Sequence, residues 1–347
     1  MPERSRGVVY RWDLDKTYLR TEFDTVRELV RTAFETPARK RTVPGASALL
    51  REIRATGPRA ITILSGSPEQ MRRALEAKLR IDGIEWDDFM LKPSLENLLR
   101  GRIRFLTDQV GYKLGALLQA RRRARPGWDE VLFGDDAEAD AFIYSLYADL
   151  CAGRVGTRTL RAVLQRARLY PEDLPVLLSE ADGVGAGREV VRRIFIHLDR
   201  VSVPGAFSEF GDRVCPFHNY FQPAVVLVED GLLEAPAALR VGSEIAIRHG
   251  FSPDTLTASF LDLVRRGFVG RRAGQALRDA IRAGEPQRVV AAKPILAAFA
   301  DDLDPRVDDL PAAGREAVPV LDYVGLYARD EARAKAAKRR ALLRRPK

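Results

Sequence analysis

The chain is poor in cysteine and histidine, with two Cys and three His in 347 residues. Cys151 and Cys215 cannot build a disulfide framework and read as reduced, buried thiols. Cys215-Pro216-Phe217-His218 lacks a second ligand pair at metal spacing, so it reads as an aromatic loop rather than half of a zinc site. His197 lies within an apolar run and reads as a core or edge histidine. No apolar run approaches the roughly 18–20 residues that span a bilayer. Residues 1–7 are polar and charged, without the apolar core of a signal peptide. A soluble, cytoplasmic protein with no transmembrane segment is expected.

The excess of base over acid sits at the end of the chain. Residues 332–347 hold eight Lys or Arg and no Asp or Glu, which leaves residues 1–331 near +1 out of the net +9. A dedicated nucleic-acid groove is therefore not favoured. The tail is a separate element. It suits anionic lipid, where each basic residue near the surface is worth about 1 kcal/mol, or nucleic-acid phosphates, or simply solvent.

Hydrophobic residues make up 46% and charged residues 30%, proportions that fit a folded globular chain. Four short runs rich in β-branched and aromatic residues predict strands: Gly7–Trp12, Ala60–Leu64, Glu130–Phe133 and Arg193–Leu198. Thr25–Phe34, Ala46–Thr56 and Pro68–Arg80 place apolar residues at helical spacing. Strands alternating with helices predict an α/β fold with a parallel sheet covered on both faces and a ligand crevice beyond the strands' carboxyl ends. Residues 154–190 read as a helical insertion before a last strand. Residues 201–320 read as a mainly helical accessory region, with one aromatic loop at Cys215–Gln222 and an Asp- and Pro-rich linker at 301–320. Residues 321–347 form a basic tail without expected fixed structure. Residues 1–200 are the expected catalytic domain.

The chemistry-bearing residues follow the strands. Asp13 and Asp15, two apart after the first, suit a nucleophile that forms an aspartyl phosphate and an acid–base that serves the leaving alcohol. Ser65 and the backbone of Gly66, at the start of a helix, make a phosphate seat. Lys113, placed ahead of a helical pattern, can neutralise a transferring phosphoryl group. The run Gly134-Asp135-Asp136-Ala137-Glu138-Ala139-Asp140 gathers hard carboxylates suited to Mg2+, with the metal bridging Asp13 and Asp135.

Asp-x-Asp-x-Thr at Asp13, Asp15 and Thr17, then Ser65, Lys113 and Gly134-Asp135-Asp136 with Asp140, resembles the ordered signature of haloacid-dehalogenase phosphatases. The resemblance implies a Rossmann-like haloacid-dehalogenase fold. Asp13 would be the nucleophile and Asp15 the acid–base, while Ser65 and Lys113 would hold the phosphoryl group. Asp135 and Asp136 would be magnesium ligands beside Asp13 and the Asp15 carbonyl, Asp140 would orient Lys113, and Thr17 would support the loop. A narrower resemblance rests on Lys40-Arg41-Thr42-Val43-Pro44-Gly45, Leu64–Pro68, Gly111-Tyr112-Lys113, Phe133-Gly134-Asp135, Asp140 and Ile143-Tyr144. These are similar to the catalytic domain of fungal actin-patch phosphatidate phosphatases and their bacterial relatives, with departures at Lys16 and Asp136. A phosphomonoester, phosphatidate or a related lipid phosphate, is the substrate this implies. A phosphatase for nucleic-acid ends, a phosphatase for a small metabolite, and a non-catalytic binding protein on the same fold are the rival readings.

Overall fold

The computed structural model describes residues 7–19, 42–92, 105–124, 127–137, 139–185, 187–199, 202–285, 290–314 and 317–329, with backbone alone for 105–109. The helix expected at Thr25–Phe34 lies outside the described residues, as does the expected 321–347 tail from 330 onward; the start of that tail is corrected, since residues 323–329 are helical and bury Tyr323, Leu326 and Tyr327 in the core.

Strands β1 (Val8–Asp13), β2 (Ala60–Pro68), β3 (Asp88–Lys92), β4 (Asp129–Asp135), β5 (Val191–His197) and β6 (Val214–Phe217) form one parallel sheet in the order β3-β2-β1-β4-β5-β6. All four apolar runs are central or near-central strands, as their two-sided burial requires. The two strands not expected are the edges. β3 (DFMLK) carries a charge at each end, and β6 (VCPF) contains Pro216, which has no N–H to give a further strand. The loop expected at Cys215–Gln222 is thus corrected to an edge strand followed by a helix, and β5 is not the last strand. Both cysteine thiols are buried, which pushes each pKa up to about 12.

Helices cover both faces. One face, around Leu64, Leu132, Ile194 and Ile196, packs α3 (Phe105–Arg123), α4 (Asp140–Cys151), α5 (Thr157–Arg166) and α6 (Asp173–Asp182), together with helical residues 323–329. The segment expected as an insertion is α5 and α6. The other face, around Tyr10, Trp12, Ile63, Phe133 and Phe195, packs α1 (Ala46–Ala55), α2 (Arg72–Ile81) and a C-terminal group. That group is α7 (Phe221–Glu229), α8 (Ala235–His249), α9 (Pro253–Arg265), α10 (Arg271–Arg282) and α11 (Lys293–Leu303). Its docking is close. Gly45, just before α1, has φ 84, and a Cβ there would stand 2.5 Å from Cδ1 of Ile245 on α8, so only glycine fits both the turn and the contact. Among the described residues no helix is long and apolar enough to cross a membrane.

Two side-chain systems stiffen the centre of the sheet. Trp12 stacks on Phe133 with ring centroids 3.8 Å apart, Phe133 on Phe195 at 4.8 Å, and Tyr220 lies over Trp12 at 5.5 Å. Such neighbouring-strand aromatic pairs add about 0.5–1.5 kcal/mol each beyond area burial. On the other side, buried Arg11 binds Glu130 with a fork of 2.8 and 3.0 Å, and Arg121 and Tyr147 complete the carboxylate at 3.3 and 2.8 Å. Burial alone would raise the Glu130 carboxyl; Arg11's charge and the hydrogen bonds outweigh burial and hold it below its ordinary value.

Candidate active site

β1 and β4 lie side by side although β2 and β3 come between them in the chain, so the crossovers leave β1 in opposite directions and open a crevice at the strands' carboxyl ends. Asp13 is the last residue of β1 and Asp135 the last of β4. Both side chains are buried, and the Thr17 hydroxyl lies 3.3 Å from Oδ2 of Asp13 and 3.5 Å from Oδ2 of Asp135.

Lys113 enters from α3. The Gly111-Tyr112-Lys113 triplet sits inside this helix rather than ahead of it, because α3 begins at Phe105. The buried Nζ of Lys113 lies 3.1 Å from Oδ1 of Asp13 and 2.5 Å from Oδ1 of Asp140. Asp140, the first residue of α4, also accepts the backbone N–H of Asp135 on Oδ2 at 3.1 Å. The approach needs Gly134, since a Cβ there would fall 2.4 Å from that same Oδ2. Asp140 thereby ties the end of β4, the start of α4 and the lysine together.

Asp15 is held differently. Its Oδ2 accepts hydrogen bonds from Ser65 Oγ at 2.8 Å and Ser67 Oγ at 3.3 Å, and Ser67 N–H donates back to Ser65 Oγ at 3.0 Å. Ser65, expected to seat phosphate, is engaged here with the second acid. Gly66 beside it is exposed, with open space where a side chain would be. The bulge at Ser65–Pro68, where β2 shifts register against β3, brings both hydroxyls to one point.

Asp136 turns away from the cluster. Its Oδ1 accepts the N–H of Asp199 at 2.9 Å, whereas Asp135 Oδ1 accepts the N–H of Ala137 at 2.6 Å. Among the described residues, Asp13, Asp135 and Asp140 bring carboxylate oxygens within 4.8 Å of one another. An all-oxygen donor set, with three formal negative charges against one buried lysine, fits a hard divalent cation.

Three residues that sequence reasoning did not assign to the site hold the loop from outside; His197, read as a core or edge histidine, is indeed buried at the end of β5. Lys16 adopts φ 57, a left-handed conformation that costs a side-chain-bearing residue about 1–2 kcal/mol. Nδ1 of His197 lies 3.0 Å from the Lys16 carbonyl, and the Tyr220 hydroxyl donates to the next carbonyl, Thr17, at 2.5 Å. His197 and Tyr220 are themselves stacked at 5.9 Å. Ser67 is the third, and its position two residues after Ser65 was the one signal available for it.

An acid–lysine centre thus lies at the switch point of a six-stranded parallel sheet, the place where α/β domains of this kind bind their ligands. The family model described as the phosphatidate phosphatase APP1 catalytic domain matches residues 12–162, which contain Asp13, Asp15, Ser65, Lys113, Asp135 and Asp140 but less than half of the chain. The matched domain is a phosphatase, and the enzyme class is phosphoric monoester hydrolase. No curated protein and no solved structure matches the chain.

Proposed function

We propose that this chain is a magnesium-dependent phosphomonoester hydrolase of the haloacid-dehalogenase type, acting through an aspartyl phosphate, with phosphatidate or a related lipid phosphate as substrate. The observation that carries the reading is the run of contacts Asp13–Lys113–Asp140, set beside a second carboxylate, Asp15, held by two serines. In this reading Asp13 Oδ attacks phosphorus and the ester oxygen departs. Asp15 gives that oxygen its proton, then takes one from the water that attacks the aspartyl phosphate. Lys113 carries positive charge to the phosphoryl oxygens, and Asp140 keeps its Nζ aimed at Asp13. Asp13 and Asp135 with the Asp15 carbonyl would hold Mg2+, which when bound offsets the charge between an anionic nucleophile and an anionic substrate. The description of the matching family model supports a lipid phosphate.

The test is phosphate release from an aryl phosphate and from phosphatidate in mixed micelles, with and without Mg2+. Asp13→Asn is expected to lower kcat by on the order of 10³-fold or more while the protein stays folded. An equal, negligible rate for wild type and variant on every ester would sink the catalytic reading.

A further inference from the structure

Lys113 is not the only polar side chain that α3 carries toward the acids. α3 follows β3 and leads into β4 of the same parallel sheet, so it runs back against the strands and starts near their carboxyl ends. Helical side chains tilt toward the N-terminus of their helix. On α3 that tilt points to the crevice, as Lys113 shows with its Nζ 3.1 Å from Oδ1 of Asp13. Tyr112 is the residue before it. The side chain is half-buried, but its hydroxyl is shut off from solvent and has no hydrogen-bond partner among the described residues. Burial, then the charge of Asp13, raises its pKa well above the ordinary tyrosine value and keeps it a neutral O–H donor. Lys113, Asp15 and Glu69 are the other charges that act on it. Asp13 ends β1, Asp15 lies in the loop that follows, and Glu69 comes directly after Pro68, the last residue of β2. The acids that this hydroxyl feels therefore all stand at the carboxyl ends of β1 and β2, where the helix tilt also sends it.

A buried O–H without a partner is destabilising, and an acceptor brought in by a ligand relieves it. Lys113 divides its Nζ between Asp13 and Asp140, while the Tyr112 hydroxyl is engaged by no protein group. A phosphoryl group at Asp13 would bring acceptor oxygens to this place. We propose that the Tyr112 hydroxyl donates a hydrogen bond to a phosphoryl oxygen of the bound substrate, beside Lys113, and is a further catalytic residue of the site. This rests on the phosphomonoesterase reading above and adds a residue that reading does not use.

The experiment compares Tyr112→Phe with the wild type as full chains. Calorimetry measures Kd for inorganic phosphate with Mg2+ present. Kinetics measure kcat/KM on an aryl phosphate and an alkyl phosphate, and thermal scans measure the unfolding midpoint. Phosphate should bind about tenfold more weakly or worse, the loss of one hydrogen bond to a charged oxygen. The fall in kcat/KM should be at least as large and equal on the two esters, since the contact is to the group they share. The midpoint should stay or rise, because the change removes an O–H that has no protein partner. Unchanged phosphate affinity would overturn the proposal. A lowered midpoint would also overturn it, by showing that the hydroxyl serves the fold. A loss confined to the alkyl ester would place the hydroxyl at the leaving oxygen and overturn it too. Equal turnover by variant and wild type defeats this proposal alone, whereas a wild type that hydrolyses no ester defeats the phosphomonoesterase reading and this proposal with it.

Discussion

Residues 12–162 and the residues after 190 contribute to the site in different ways. The first stretch, the part matched by the family model, supplies the groups placed for chemistry: Asp13, Asp15, Lys113, Asp135 and Asp140. The second supplies none of these, yet it holds the loop that carries Asp15 and follows directly on Asp13. His197, at the end of β5, and Tyr220, just before α7, grip the carbonyls of Lys16 and Thr17. Lys16 needs such a grip because its left-handed backbone is unfavourable for a side-chain-bearing residue. A catalytic group misplaced by about 1 Å can lose on the order of 10²-fold in rate. In the proposed reading the matched stretch carries the reagents, and the later stretch fixes their geometry.

The comparison predicts that folding stability and turnover can be damaged separately. The largest effect on folding should come from within the matched stretch but away from the site. Glu130 stands five residues before Asp135, buried among Arg11, Arg121 and Tyr147. Glu130→Gln leaves two buried guanidinium groups without their carboxylate and should cost about 3–5 kcal/mol in urea unfolding. The folded fraction should keep wild-type kcat, and a kcat that falls with stability would break the distinction. The pH dependence follows from the same group. Its folded pKa lies below the ordinary 4.5, so its contribution is fully present above that value and is lost as pH falls through the folded pKa. Thermal scans should therefore show the wild-type advantage over Glu130→Gln narrowing below about pH 4.5.

A smaller change outside the matched stretch should show the opposite pattern. Tyr220→Phe keeps the ring over Trp12 but removes the hydroxyl from the Thr17 carbonyl. The loss of about 1 kcal/mol of hydrogen bonding should barely move the unfolding midpoint. If the loop shifts, kcat should fall about tenfold, since 1.4 kcal/mol of misplacement is enough for that. Unchanged kcat would reduce Tyr220 to a packing residue.

These contrasts also explain what could be read from the chain alone. Asp13, Asp15, Ser65, Lys113, Asp135 and Asp140 were legible because each stands in a short motif at the end of an apolar run, or where a helix begins or passes. The backbone order then brings the motifs together. Tyr220 was not legible, since its contact with Thr17 joins residues 203 positions apart and no local pattern marks it. The edge strands β3 and β6 were missed because an edge tolerates charges and proline that a central strand excludes. Asp135 and Asp136 look equivalent as neighbours in one acidic run. Only the loops after β4 and β5, whose Ala137 and Asp199 N–H groups donate to Asp135 and Asp136 respectively, send them apart.

The smallest expected effect concerns what joins the two stretches. Arg240 on α8 forks onto Glu52 on α1 at 2.8 and 2.6 Å, and Arg51 reaches Glu244 at 2.7 Å. These pairs cross the junction, but they are only partly buried, with 35% and 17% of the side chain exposed for Arg240 and Glu52. Solvent screening limits such a pair to about 0.2–1 kcal/mol. The contact of Gly45 with Ile245 and the apolar core around it should carry the junction instead. A double-mutant cycle of Arg240→Ala and Glu52→Ala, read by urea unfolding, should give a coupling in that range with no change in kcat. A coupling near 3 kcal/mol, or a loss of turnover in either single variant, would mean that the clamp on the Lys16 loop depends on this ion pair and not on packing.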